Sequence, residues 1–174
     1  MKERPLAGLR YERREHIFSA AGDAISDGAF AMSNAYETDF YAWAMEQAEL
    51  LRARRFAAAD IANIAEEIES MGRGEKRELV NRLAILLLHL LKWQFQPGFR
   101  SPSWNSSIRE QRIRLRNHLD DNPSLKSRLD EALAQAYELA VIGAARETGL
   151  PERDFPKSSP YRFEQALDDA FWPE

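Results

Sequence analysis

The stretch Leu79 to Trp93, LVNRLAILLLHLLKW, decides the fold of this chain. Its apolar side chains cover nearly the whole circumference of a helical wheel, whereas a helix with one face in water carries them on one side only. A narrow polar stripe remains, and it contains Glu78, Arg82, Ile85, His89, Lys92 and Gln96. The stretch therefore predicts a central helix, over about residues 75 to 95, that is surrounded by other helices.

Length and composition fit a single domain. The 174 residues are 44% hydrophobic and 30% charged, which is sufficient for one core. The absence of cysteine excludes a disulfide framework, a thiol nucleophile and cysteine-ligated zinc. We therefore predict a cytoplasmic protein, and the interrupted apolar runs near the N-terminus predict neither a signal peptide nor a membrane segment.

Apolar spacings of three and four residues predict two helices before the central one, and no segment alternates like a strand. The first helix, capped by Thr38 or Asp39, is expected to run to about Arg54. The second is expected to begin after Asp60. Glycines within residues 72–74 predict a break before the central helix.

Further helices are predicted after the central one. The central helix should stop near Pro97-Gly98, and Ser103 is expected to cap the next helix, which is basic along one edge. Asn122-Pro123 should begin another helix that ends at Gly149, and a short helix is expected from about 162 to 169. The fold class is thus an all-α, single-domain bundle of five to six helices.

Five sequence segments occur in a recognisable order between Tyr36 and Glu174: YETDFYAWAMEQAELLR, IANIAEEIESMG, HLLKWQFQP, SWNSSIREQR and LPERDFPKSSPYRFEQALDDAFWPE. In these segments the chain resembles the bacterial DUF29 family, a group of uncharacterised small proteins. The resemblance implies a helical domain over residues 34–174 and no established activity, so no catalytic residue is carried over. Residues 1–33 lie outside it and are expected to form a poorly ordered extension.

A basic segment between Lys92 and Arg116 is the candidate binding surface. The whole chain has a net charge of −4, yet Glu110 is the only acidic residue in this segment. Aromatic residues alternate with bases here, as in sites that stack nucleobases or clamp anions. The candidate anion-binding or partner-binding residues are Lys92, Arg100, Trp104, Arg109, Arg112 and Arg116.

A structural role is the favoured alternative for these residues. Trp93 and Trp104 would then be core anchors at a helix-loop-helix corner, and the arginines would pair with acids of the second helix, which are Glu66, Glu67 and Glu69. The same acids near His89 suggest a metal site, but the Glu-x-x-His pairs of di-iron bundles are missing. We therefore predict no metal and no cofactor, and we expect His89 to be a structural histidine rather than a general base.

These patterns favour a non-catalytic protein-interaction module that binds a protein partner or forms a homo-oligomer. The alternative is nucleic-acid or other polyanion binding through the basic edge of the helix at about 104–120, and an enzyme is the less favoured class. An exposed apolar patch would indicate the interaction module, and a continuous basic face would indicate the nucleic-acid binder. A pocket with converging titratable groups would indicate the enzyme.

Overall fold

The computed structural model of the chain describes residues 35–174, which contain helices and no strands. After a helical turn at 35–38, the α-helices are α1 (Phe40–Arg52), α2 (Ile61–Phe95), α3 (Pro102–Asp121), α4 (Leu129–Thr148) and α5 (Phe163–Leu167). The predicted all-α fold is confirmed for this part of the chain, whereas the extension predicted at 1–33 falls outside the described residues. None of the helices described is long and apolar enough to cross a membrane.

The chain divides into two compact units at Asp60. In the first unit, the Asp39 carboxylate accepts a hydrogen bond from the backbone N–H of Ala42 (3.0 Å), which confirms Asp39 as the N-cap of α1. The helix ends two residues before the predicted boundary, and Arg54 follows it with a positive φ of 56°. Trp43 is buried, and its ring contacts those of Tyr36 and Phe40.

In the second unit, α2 is one continuous helix of 35 residues, so the break predicted at residues 72–74 is wrong. A helix-interior glycine costs only about 1 kcal/mol relative to alanine, because its main penalty is backbone entropy. Strong helix formers surround Gly72 and Gly74, and an ion pair between Arg73 and Glu69 (3.3 Å) spans one turn here. The predicted second and central helices are therefore a single element.

The later part of α2 forms the centre of this unit and packs mainly against α4 and α3. Its fully buried leucines are Leu79, Leu83, Leu86, Leu87, Leu90 and Leu91, which confirms the predicted central helix. Small side chains on α4 allow it to approach closely. A Cβ at Gly143 would collide with the end of the Leu88 side chain on α2, so a larger residue here would require that side chain to move.

The N-cap of α3 is Ser101 rather than the predicted Ser103. The Ser101 hydroxyl accepts a hydrogen bond from the backbone N–H of Trp104 (3.3 Å), and Pro102 occupies the first helical position. Proline is suited to that position, because its φ is fixed near the helical value and it has no N–H to leave unpaired. The helix therefore begins slightly earlier than the serine pattern indicated.

The helix predicted from Asn122-Pro123 begins as a 3-10 segment at Pro123–Arg128, and α4 proper starts at Leu129. Its predicted end is confirmed, because Gly149 adopts the left-handed conformation (φ 74°) that a helix C-terminus favours. The short helix predicted near 162–169 is present as α5, within one or two residues of each predicted end.

Candidate functional site

The arginines of the predicted basic edge hold the C-terminal segment of the chain, defined here as residues 162–174. Arg112 is fully buried and donates three hydrogen bonds to backbone carbonyls of this segment. Its Nε lies 2.9 Å from the oxygen of Ala166, its Nη1 3.4 Å from that of Asp169 and its Nη2 2.6 Å from that of Phe171. The guanidinium also lies over the ring of Trp172, 5.2 Å from its centroid.

The carbonyls at the end of α5 explain why a guanidinium is needed at this place. A helix leaves its last carbonyls without intrahelical partners, and α5 has only five residues. The planar side chain of Arg112 carries five N–H donors in a fixed arrangement that can bind several carbonyls at once. Burial lowers the pKa of Arg112 below its ordinary value, while the carboxylates of Asp169 and Asp168 oppose that shift.

Two further arginines contribute to the same contact region. Nη1 of Arg116 lies 3.1 Å from the carbonyl oxygen of Leu167 and 3.2 Å from the carboxylate of Asp169. Nη2 of Arg100 donates to the carbonyl of Pro173 (3.4 Å) and its Nε to the carbonyl of Trp93 (2.9 Å). These side chains therefore stabilise the fold around the C-terminal segment.

Lys92 lies in the core at the other end of the predicted surface, with only 6% of its surface exposed. Its Nζ lies 2.6 Å from the Glu147 carboxylate and 4.3 Å from the centroid of the Trp104 ring. Arg109, in contrast, is exposed and forms no ion pair within residues 35–174. The structure therefore does not bring the six candidate residues together on one open face.

The expectation that Arg109, Arg112 and Arg116 face one ligand is wrong for Arg112, because the C-terminal segment covers it. The alternative expectation of structural pairing has the wrong partner. Arg112 and Arg116 bind carbonyls and Asp169 of the C-terminal segment, and not the acids of residues 66–69. Helical-wheel angles relate side chains to one another but do not indicate which distant segment packs over them.

The histidine of the polar stripe bonds to its own helix. Nδ1 of His89 lies 2.9 Å from the carbonyl oxygen of Ile85, and because a carbonyl can only accept, this nitrogen carries the proton. Gln96, a predicted neighbour in the stripe, donates instead to the carbonyl of Thr148 (2.9 Å). Within the described residues, no cluster of three or more His, Asp or Glu side chains could hold a metal ion.

Stability is expected to depend on the protonation of His89. Burial lowers the pKa of His89 below its ordinary value of 6.5, the bond to Ile85 raises it, Lys92 lowers it and Glu147 raises it. With a lowered pKa, the folded protein binds fewer protons than the unfolded chain, so stability falls as pH drops below about 6.5. Urea unfolding between about pH 5 and pH 7 should show a smaller decrease for His89→Gln than for wild type. Parallel pH profiles would contradict this prediction.

The first part of α2 exposes an apolar stripe, defined here as Ile61, Ile64, Ile68 and Met71. Ile61, Ile68 and Met71 expose 52%, 63% and 71% of their surface, and Ile64 is half-buried. The four positions fall within a sector of about 80° on the wheel. The fully buried Leu79 falls in the same sector, so the apolar stripe continues the core face of α2.

The apolar stripe is exposed because α2 is longer than the helices that pack against it. Its 35 residues span about 52 Å, whereas α3 and α4, with 20 residues each, span about 30 Å. Hydrogen bonds from α2 to α3 and α4 begin at Glu75, whose carbonyl bonds His118 (2.9 Å), and Lys76, which bonds Glu131 (2.7 Å). The α2 residues before Glu75 therefore extend beyond the ends of α3 and α4.

A basic cluster on α2, which the sequence analysis did not single out, follows the apolar stripe. Arg73, Lys76 and Arg77 recur at i, i+3 and i+4, so they share one side of the helix. They line a surface cavity of about 340 Å³ between α2 and α4. The run RGEKR, at residues 73–77, is the sequence signal that could have identified this cluster.

A family model described as "Domain of unknown function DUF29" matches residues 35–172. This range agrees with the resemblance found between residues 36 and 174. No curated protein and no solved structure matches the chain.

Proposed function

Because the chain belongs to the DUF29 family, whose name states no activity, we propose from its own surface that it is a non-catalytic protein-interaction module. The apolar stripe of α2 binds an amphipathic helix of a partner protein. The observation that carries this proposal is the exposure of Ile61, Ile68 and Met71 on the face of α2 that continues the core. An apolar face at helical spacing is suited to a partner helix whose own apolar residues recur at three and four.

The charge around the apolar stripe favours a partner helix with basic flanks. Residues 60–72 contain Asp60 and three glutamates, and no lysine or arginine. On the wheel, Glu67 and Glu69 border the apolar stripe at about 80° and 120° from its centre, and Glu69 also pairs with Arg73. Electrostatic complementarity increases association rates and disfavours partners of like charge. A helix with acidic flanks should therefore bind much more weakly.

The size of the apolar stripe favours a weak and reversible complex. Complete burial of one large aliphatic side chain contributes about 1.5–3 kcal/mol, and these side chains are already partly covered. Their combined contribution is then about 3–6 kcal/mol, which the entropy cost of association offsets in large part. We expect a dissociation constant of about 1 mM or weaker unless the partner also contacts other surfaces.

Nucleic-acid or other polyanion binding has less support than protein interaction. Polyanion binding along α3 would depend on Arg112, which is buried, and on Arg116, which donates to Leu167 and Asp169. The bacterial cytoplasm is the proposed compartment, because a chain without cysteine suits a reducing environment.

The proposal is tested with two synthetic amphipathic peptides that share one apolar face but carry either lysine or glutamate on its flanks. Titration of the lysine peptide into the ¹⁵N-labelled full chain should shift amide signals of residues 61–71, and the glutamate peptide should bind at least about tenfold more weakly. Ile68→Glu should abolish the shifts, because it places a charge within the apolar stripe. The matched control is Ile113→Glu on α3, where the native side chain is 51% exposed.

Equal loss of binding in both variants, or no shift in residues 61–71, would contradict the proposal. Sedimentation of the full chain tests whether a second copy of the chain, rather than a partner helix, binds the apolar stripe. If the wild type is a dimer and Ile68→Glu is a monomer, a second copy of the chain occupies the apolar stripe, and a basic partner helix does not.

A further inference from the structure

The cavity lined by Arg73, Lys76 and Arg77, called the basic groove from here on, lies between α2 and the N-terminal half of α4. It does not include any residue of the apolar stripe. Its volume of about 340 Å³ is at the lower end of the range for small-ligand sites. Val80 is nearly buried and supplies an apolar wall. The lining residues are Arg73, Lys76, Arg77, Val80, Asn81 and Gln135.

Positive charge in the basic groove exceeds the negative charge that contacts it. Lys76 pairs with Glu131 (2.7 Å), and Arg73 pairs with Glu69 (3.3 Å), but neither glutamate lines the cavity. Arg77 is exposed and makes no ion pair with any residue in 35–174. Both pairs lie at the surface, where water screens an ion pair and lowers its contribution to stability, so an incoming anion can compete for Lys76 and Arg73. Within the described part of the chain, the groove therefore has one guanidinium without an ion pair beside two cations in surface ion pairs.

We propose that the basic groove binds a small phosphomonoester whose uncharged body rests against Val80. A phosphate dianion presents several acceptor oxygens, and guanidinium groups bind them through parallel N–H donors. A ligand with a single carboxylate has only two acceptor oxygens, so it would bind fewer of the three cationic side chains than a phosphate does. The amides of Asn81 and Gln135 can contact polar groups of the ligand body, although Gln135 also donates to Glu131 at 3.4 Å. The small volume admits a single compact ligand rather than an extended chain.

The test uses phenyl phosphate as the probe, with inorganic phosphate and phenol as its two halves. Titrations followed by NMR of the ¹⁵N-labelled full chain should give phenyl phosphate a dissociation constant of about 1 mM. Inorganic phosphate should bind more weakly, because it lacks the body that contacts Val80, and phenol should not bind. Amide shifts are expected at residues 73–81 and near Gln135.

Arg77→Gln should weaken phenyl phosphate binding about tenfold, since it removes the unpaired guanidinium. The matched control is Arg146→Gln on α4, which removes the same charge from a side chain that is 75% exposed. Urea unfolding of both variants should match wild type, because both side chains lie at the surface. Equal weakening in both variants would overturn the site, and so would an absence of shifts at 73–81.

The last experiment adds a single-stranded oligonucleotide as a competitor of phenyl phosphate. If the oligonucleotide displaces phenyl phosphate, and the logarithm of its binding constant falls by several units for each tenfold rise in salt, the groove binds polyanions. In that case the small-ligand proposal is overturned. The result for the partner helix does not affect this test, because Ile68→Glu should leave phenyl phosphate binding unchanged.

Discussion

Replacing Arg112 by alanine is expected to lower the free energy of unfolding by about 3–5 kcal/mol, which is large for a single residue. The change removes the donors to Ala166, Asp169 and Phe171 at once. A buried carbonyl left without a partner costs about 1–3 kcal/mol, and water that enters the vacated space recovers part of this. The loss of packing against Trp172 adds to the effect.

Urea unfolding measures this loss, and Arg109→Ala is the matched control on the same helix. Arg109 is exposed, so its replacement should change stability by less than about 0.5 kcal/mol. Arg112→Lys should not restore the wild-type value, because an ammonium cannot bind three separated carbonyls as a planar guanidinium does. A loss below about 1 kcal/mol for Arg112→Ala, or full recovery with lysine, would show that the C-terminal segment is held by other contacts.

The central helix could be predicted because its signal is local and redundant. Six leucines between Leu79 and Leu91 are fully buried, and their spacings of three and four residues indicate a buried helix face without reference to any other segment. The caps at Asp39 and Gly149 were also predictable, since each depends on one side chain or one backbone conformation. Features of this kind require no knowledge of what lies elsewhere in the fold.

The continuity of α2 was not predictable from Gly72 and Gly74. Helix propensity is a weak local preference, and the packing of the later turns compensates for two unfavourable residues. The sequence places Ile61, Ile64, Ile68 and Met71 on one side of a helix. With a break predicted at residues 72–74, that side would belong to a separate short helix and would be expected to pack into the core. Only the lengths of α2, α3 and α4 show that these positions extend beyond the helices that cover Leu79.

The role of Arg112 was hidden for a different reason. Its partners are backbone carbonyls, which every residue has, so no pattern of residue types marks them as acceptors. A basic residue beside an apolar helix face can be exposed to solvent or buried against backbone carbonyls of another segment. The distinction depends on where the C-terminal segment runs, and that is set by contacts more than 50 residues away along the chain.

The buried part of the α2 face and the exposed apolar stripe should respond differently when single side chains are replaced by alanine. Leu86→Ala and Leu87→Ala are each expected to lower the free energy of unfolding by about 2–5 kcal/mol, because both side chains are fully buried and each change leaves a cavity. Ile68→Ala removes a side chain of similar volume from the same helix. It should cost less than about 1 kcal/mol, since most of that side chain is already in water.

Chemical denaturation of the three variants under one buffer condition measures this contrast. Losses below about 1 kcal/mol at both leucines would show that α2 is peripheral to the core. A loss at Ile68 as large as those at the leucines would show that the apolar stripe is part of the folded core in solution. It would then not be free to bind a partner helix, so this comparison also tests the premise of the proposed function without requiring the partner.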